Sequence, residues 1–234
     1  MCLYLIRKNI NDLNGTNTFK DVTLKLLKRD TKILIIDDGD FIFLDLLRKN
    51  GYNIEHKKDI SSVLDVAAYH IIFCDVRGVG KDLSGKFEGA HLVRLIKNEY
   101  PEKMVISYSA IGYDSTYEEY LSFADGRISK GSSIEDWSSC IDEYIKKIAD
   151  PKYIWENTRS RLEKEGVPTI KIAQYEDRYV RAIKSGSFEN MKKLFNKSEN
   201  ATVIKILSDL VEFALSIIKV VNWWTAYFLQ KKKT

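Results

Sequence analysis

The chain has 234 residues, enough for one large domain or two small ones, with 44% hydrophobic and 30% charged residues and no low-complexity tract. That composition excludes a disordered polymer, and three scattered cysteines (Cys2, Cys74, Cys140) exclude a disulfide framework or a zinc spacing, so a reducing cytoplasm is the expected setting. The net charge of +4 conceals an asymmetry: residues 1–150 carry 21 Lys and Arg against 24 Asp and Glu, whereas residues 151–234 carry 16 against 9.

The opening "MCLYLIRKNIND" places a short apolar patch before its basic residues, the wrong order for a secretory signal. Residues 1–31 read as an N-terminal extension in which "TFKDVTLKLLKRD" forms a short helix or strand. From Lys32 the pattern alternates. "KILIID" reads as a strand buried on both faces, "FIFLDLLRKNG" as a helix, "YNIEHK" as a weaker strand and "SSVLDVAAY" as a helix. "HIIFCD" is a second continuous apolar run ending at a carboxylate. It is followed by the helix "EGAHLVRLIKNEYP", the strand "MVISYSA", the helix "DSTYEEYLSFAD", the strand "GRISK" and the amphipathic helix "SIEDWSSCIDEYIKKIA". Five strands alternating with helices predict a doubly wound five-stranded parallel sheet over residues 32–150.

After Pro151 no strand signal remains. "KYIWENTRSRLEKEG", "TIKIAQYEDRYVRAIKSG" and "SFENMKKLFNK" read as helices, two of them stopped by glycine. A long helix follows from about Ala201 to Gln230, making 151–234 an all-helical module. Two apolar stripes run along it. Ile204, Leu207, Val211, Ala214, Ile218 and Val221 form one, and Val203, Ile206, Leu210, Phe213, Ile217, Val220 and Trp224 the other. The width suits the centre of a bundle or a dimer seam. The expectation combines them: one stripe packs on residues 152–197 and the other meets a second copy.

In doubly wound sheets ligands collect beyond the carboxyl ends of the strands, where the strand order reverses. The first and third strands both run into carboxylates there: Asp37 and Asp38 after the first, Asp75 at the end of the third. Like charges side by side repel, and burying one unpaired is costly, so a cation is expected among them. Oxygen donors of this kind suit Mg²⁺. Ser109 ends the fourth strand and Lys130 the fifth, and the steps are 37 residues from Asp38 to Asp75, 34 to Ser109 and 21 to Lys130.

With these five residues in this order, residues 32–149 resemble a response-regulator receiver domain, the phospho-accepting half of a two-component system. The resemblance implies a flavodoxin-like fold, Mg²⁺ at Asp37 and Asp38, phosphoryl acceptance on Asp75, contact of Ser109 with the phosphoryl oxygens and pairing of Lys130 with the phosphate. It also implies that the backbone carbonyl of Arg77 reaches the metal. The implied donor is a sensor histidine kinase or a phosphotransfer protein, and the only chemistry is the receiver's own phosphorylation and dephosphorylation. The sequence departs from the family in four places. Arg127 stands where an aromatic residue is usual and Gly131 where a proline follows the lysine; "VRGVGKDLSGKFEGAH" is long and glycine-rich; and the span from Asp38 to Asp75 is short.

Other polar residues get structural readings: His56, His70 and His91 lack metal partners at ligand spacing, Cys74 is core, and Tyr108 is a packing residue. Residues 151–234 contain no catalytic motif. Their positive charge permits nucleic-acid binding, but bases and acids are interspersed, so a solvated basic surface is expected. The longest uncharged run of the last helix, Val220 to Gln230, has 11 residues against the roughly 20 that span a bilayer. "NWWTAYFLQKKK" retains a minor capacity for peripheral attachment. The resulting expectation is a cytoplasmic response regulator that acts through a helical protein-interaction module. The alternatives are a DNA-binding transcriptional regulator and a degenerate receiver serving as scaffold or decoy.

Overall fold

A short helix, α1 (Leu24–Asp30), leads into β1 (Lys32–Ile36), whose four consecutive aliphatic residues leave no face for water. In the computed structural model, which describes residues 7–13, 24–109, 115–195 and 200–231, Ile33 to Ile36 are all fully buried. The chain continues through α2 (Leu44–Lys49), β2 (Asn53–Lys57), a 3₁₀ turn at Val63–Val66 and β3 (Ile71–Asp75). Next come α3 (Lys81–Ser84), α4 (Glu88–Glu99), β4 (Met104–Ser109), α5 (Ser115–Leu121), β5 (Gly126–Ser129) and α6 (Ile134–Ile148). The five strands form one parallel sheet in the order β2-β1-β3-β4-β5, the flavodoxin-like arrangement expected from the sequence.

The pleat sorts the two faces. Leu34, Ile36, Ile72, Cys74 and Val105 pack with Leu92, Val93 and Ile96 of α4. On the other face Phe73 and Tyr108 meet Trp137 of α6, with ring centroids 5.1 and 5.5 Å apart. Trp137, Ile141, Tyr144, Ile145 and Ile148 recur at helical spacing and are all buried, which fixes α6 on the sheet. Its start is locked reciprocally: the Asp136 N–H donates to Ser133 Oγ, and the Ser133 N–H donates to Asp136.

Two predicted helices are shorter than their patterns. α2 begins only at Leu44, because Phe41 is drawn into the core edge-on to Trp137 at 4.9 Å. "SSVLDVAAY" yields one 3₁₀ turn. Ser62 and Asp65 cap its start, and Lys103 Nζ donates to the carbonyls of Ala67 at 2.7 Å and Tyr69 at 2.5 Å, which ends it. α1, which the sequence leaves undecided between helix and strand, is a helix tied to α6. Lys28 Nζ lies 2.9 Å from Asp142 Oδ1, and the Tyr52 hydroxyl donates to the same oxygen at 2.6 Å.

The chain divides into two compact units, Leu24–Ile148 and a second that joins the described residues before Leu24 to those from Ala149 onward. The N-terminal extension is thus not one piece: α1 belongs to the sheet unit, and the 3₁₀ turn Ile10–Leu13 to the helical unit. There the Lys8 N–H donates to Asp177 at 2.6 Å and the Ile10 N–H to Glu176 at 2.7 Å. The helical unit is built from α7 (Pro151–Lys164), α8 (Thr169–Ser185), α9 (Glu189–Phe195) and α10 (Ala201–Lys231). Asp150 caps α7 with Pro151 in its first turn, and Gly186 ends α8 in a left-handed conformation. Trp155 stacks on Tyr179 at 5.5 Å, and Arg161 of α7 pairs with Asp209 of α10 at 2.8 Å.

Over residues 201–217 both stripes of α10 are covered within one chain. Val203, Ile206, Leu210, Phe213 and Ile217 of one stripe are buried, as are Leu207, Val211 and Ala214 of the other, and only Ile204 is half-buried. This corrects the expected division of labour, since over 201–217 neither stripe is left for a second copy. The stripe positions after Ile217, and the side chains of "NWWTAYFLQKKK", lie outside the described residues, as does Cys2. Among the described residues no helix is long and apolar enough to cross a membrane.

Candidate functional site

The strand order reverses between β1 and β3, and the parallel register brings the carboxyl ends of β1, β3, β4 and β5 to one edge. Asp37 follows β1; its N–H donates to the Lys57 carbonyl at 3.1 Å, and its own carbonyl lies 2.9 Å from His56 Nε2. Asp75 is the last residue of β3 and stands beside Tyr108 of β4 in the register. Ser109 ends β4 one step further out, paired with Ser129. Lys130 is the first residue past β5, and its N–H donates to the Ser109 carbonyl at 2.9 Å.

The cation expected among these carboxylates is Lys130, which pairs with Asp37 and Asp75. Its ammonium lies 2.6 Å from Asp75 Oδ2 and 3.1 Å from Asp37 Oδ1, bridging two side chains that are 4% and 5% exposed as residues. Asp37 titrates below the ordinary carboxylate range. Burial pushes it up, but hydrogen bonds from the Tyr108 hydroxyl, the Gly39 N–H and Lys130 outweigh that. Asp75 is raised, chiefly by burial and further by the Asp37 charge, against the hydrogen bonds from Lys130 and the Arg77 N–H. Lys130 is raised because its bonds to Asp75 and Asp37 overcome the burial that would lower it.

Asp38 is exposed, yet one oxygen from each of Asp37, Asp38 and Asp75 lies within 4.8 Å of the others. Three carboxylates close together, with one ammonium bonded to two of them, leave an excess of negative charge on hard oxygen donors, the donor set that Mg²⁺ takes. An octahedral ion at roughly 2.0–2.1 Å spans about 4.2 Å between opposite ligands, so a small rotation of Asp38 or one bridging water closes the set. The residues present therefore fit the ion.

The glycine-rich stretch after β3 is fastened along the rim. The Gly78 N–H donates to Glu88 at 2.7 Å and the Gly80 N–H to Asp59 at 2.7 Å. Glycine is required at two points. A Cβ on Gly78, whose φ is +84°, would come 2.3 Å from an Asp38 oxygen, and one on Gly89 would come 1.7 Å from the Asp75 carbonyl oxygen. Arg77 sends its N–H to Asp75 at 3.3 Å, and its guanidinium lies 5.4 Å from the Tyr117 ring centroid. Arg127, where the resemblance noted from the sequence would put an aromatic residue, pairs with Glu118 at 2.8 and 3.0 Å.

All five residues singled out from the sequence thus stand at one sheet edge, with Arg77 beside them. Two features escaped. Tyr108 reads as packing, and its ring does pack on Trp137, but its hydroxyl also reaches the Ile36 carbonyl at 3.4 Å and its ring faces the Lys130 ammonium at 5.2 Å. The roles of Gly78 and Gly89 depend on close approaches between distant segments, which no local pattern records.

Among solved structures the chain is similar to NtrX from Brucella abortus at 22% identity, covering 49% of this chain and 26% of that one with a TM-score of 0.41. It is similar to the chemotaxis protein CheY4 of Vibrio cholerae at 17% identity, covering 48% of this chain and 97% of that one, TM-score 0.40. A two-component response regulator from Clostridium difficile matches at 18% identity over 50% of this chain and 98% of its own, TM-score 0.42. These matches are to response-regulator receiver domains and take in about half of the chain; the remainder is helical. The chain spans about a quarter of the length of the Brucella protein. No protein-family model and no curated protein matches it.

Proposed function

We propose that Leu24–Ile148 accepts a phosphoryl group on Asp75 and that residues 149–234 carry the consequence to a protein target. The observation that carries this reading is the Lys130 ammonium bridging Asp37 and Asp75, at 3.1 and 2.6 Å, at the switch point of the sheet. Asp37, Asp38 and Asp75, with the backbone carbonyl of Arg77, would hold Mg²⁺. Bound there, it would neutralise charge on the phosphoryl oxygens as they enter an acidic pocket.

The chain's own residues do the rest. An Asp75 carboxylate oxygen forms the new P–O bond, and the bond from phosphorus to a donor nitrogen breaks, its electron pair staying on the imidazole of a phosphohistidine. Lys130, already 2.6 Å from Asp75, follows the charge onto the phosphoryl oxygens, and Ser109 offers its hydroxyl from the next strand end. Little covalent assistance is needed; positioning and electrostatics carry the transfer. The reaction is confined to the protein's own phosphorylation and dephosphorylation, with a histidine kinase or phosphotransfer protein as donor.

Full-length protein incubated with Mg²⁺ and a small acyl phosphate should gain one phosphoryl group by intact-mass spectrometry. The adduct should be cleaved by hydroxylamine and absent in Asp75→Asn. An unmodified wild type would identify the pocket as that of a scaffold or decoy. An adduct that persists in Asp75→Asn would move the acceptor elsewhere.

A further inference from the structure

We infer that Glu88 is a positioning residue of this pocket: through the Gly78 N–H it fixes the peptide plane that carries the Arg77 carbonyl, the backbone oxygen proposed as a ligand of Mg²⁺. The inference rests on the reading that the pocket takes such a cation. The Gly78 N–H donates to Glu88 Oε2 at 2.7 Å. That N–H and the Arg77 carbonyl belong to one planar trans peptide, in which they point in opposite directions. A carboxylate that holds the first therefore aims the second, and it draws electron density onto the carbonyl oxygen as well. The flanks of this peptide touch two of the three carboxylates. On one side the Arg77 N–H donates to Asp75 Oδ1 at 3.3 Å. On the other, Gly78 sits so close to Asp38 that a Cβ there would come 2.3 Å from a carboxylate oxygen.

Glu88 makes this bond at a backbone cost. With φ at +44° it is the one non-glycine residue of positive φ among those described. A glycine would adopt that conformation freely, as Gly78, Gly80 and Gly85 do nearby at +84°, +70° and +57°. What a glycine lacks is the carboxylate. Strain retained beside a site points to a role for the side chain that bears it. Asp59 supplies the comparison within the same loop. Its Oδ1 takes the Gly80 N–H, also at 2.7 Å, but the peptide it fixes carries the Val79 carbonyl, to which no ligand role falls. One carboxylate fastens the loop; the other fastens it and aims a ligand. Outer-shell partners of this kind orient the ligating atom, and their loss weakens metal binding.

The test uses a feature of the sequence: Arg77–Gly78 is its only Arg–Gly pair. Carbonyl-¹³C arginine with ¹⁵N glycine therefore gives the full chain a single amide–carbonyl NMR correlation that reports both ends of this peptide. In chelator, Glu88→Ala should move the Gly78 proton upfield, because the charge-assisted bond is gone. Added Mg²⁺ should shift the Arg77 carbonyl carbon in wild type and in Glu88→Gln, which keeps an acceptor of the same reach, and shift it less in Glu88→Ala. By calorimetry Glu88→Ala should bind Mg²⁺ about tenfold more weakly, with Glu88→Gln and Asp59→Ala within about threefold of wild type. The inference alone fails if wild type binds and Glu88→Ala binds equally or leaves the Gly78 proton in place. It fails also if Glu88→Gln or Asp59→Ala loses as much affinity as Glu88→Ala, since charge or loop fastening then explains the loss. A carbonyl carbon that ignores Mg²⁺ in wild type, with affinity intact, removes Arg77 from the ligand set and this inference with it. A wild type that binds no Mg²⁺ overturns the pocket reading itself.

Discussion

Each of the two units ties down a pair of carboxylates, and the surroundings of the pairs differ. In the helical unit Glu176 and Asp177 accept backbone N–H groups from Ile10 and Lys8, and Asp177 also pairs with Arg181 at 3.0 Å. Each carboxylate accepts a backbone donor, Asp177 has a cation of its own besides, and the result is a fastening. In the sheet unit Asp37 and Asp75 share one ammonium, and a third carboxylate stands within 4.8 Å. There the charge is left in excess at a rim open to solvent through Asp38. An imbalance of that kind serves a ligand, whereas a satisfied pair serves the fold.

The comparison is first tested on stability. If the helical unit is held by packing, its anchor is Trp155, 1% exposed and stacked on Tyr179 at 5.5 Å. Trp155→Ala should cost about 3–5 kcal/mol. Hydrogen exchange in denaturant should then show the peptides of α7 and α8 opening earlier while those of β1 and β3 keep their midpoint. A single transition that shifts as a whole would mean that the two units are not separately stabilised.

Much of this was legible in the sequence, for physical reasons that differ by region. Ile33–Ile36 and Ile71–Cys74 announce doubly covered strands because each is an unbroken apolar run too short for a buried helix and closed by a carboxylate. The five pocket residues are legible because strand ends sit next to one another in a parallel sheet, so that order along the chain becomes proximity. α7 to α10 follow from their helical spacing and their glycine stops. What was not legible depends on contacts between remote segments. Ser62–Tyr69 has a helical pattern, but Lys103 takes the Ala67 and Tyr69 carbonyls and halts it. α10 has an apolar face wide enough for two partners, and only the packed bundle shows that one chain covers it over 201–217.

A second test asks whether the sheet unit holds titratable groups uncharged where it has no excess to offer. At the opposite end of the sheet His70 Nδ1 accepts the Lys32 N–H at 3.0 Å. Burial, and then the charges of Lys103 and Lys32, push it down from 6.5 to about 4. The unfolded chain therefore takes up a proton first as pH falls. Stability from this group is complete above about 6.5 and is lost progressively toward pH 4, by about 3 kcal/mol in all. His70→Asn can still accept the Lys32 N–H but cannot titrate. Its unfolding free energy should be flatter than that of wild type between pH 6.5 and 4. Equal slopes would show that His70 is not held neutral.

The smallest effect belongs to the fastening. Glu176 is 9% exposed, and its Oε1 receives the Ile10 N–H at 2.7 Å. Glu176→Gln keeps an acceptor oxygen of the same reach and removes the charge, so only the charge-assisted part of the bond is lost, about 1 kcal/mol. An amide that exchanges by local opening would then exchange about fivefold faster, since 1.4 kcal/mol is a factor of ten. The readout is exchange at Ile10 by mass spectrometry with peptide resolution, because a global midpoint barely registers a change of this size. Faster exchange at Ile10, with α10 peptides unchanged, would identify residues 8–13 as an element latched to α8 by charge-assisted hydrogen bonds. Unchanged exchange at Ile10 would remove that assignment, and the carboxylate pair of the helical unit would no longer stand as the satisfied counterpart of the pocket.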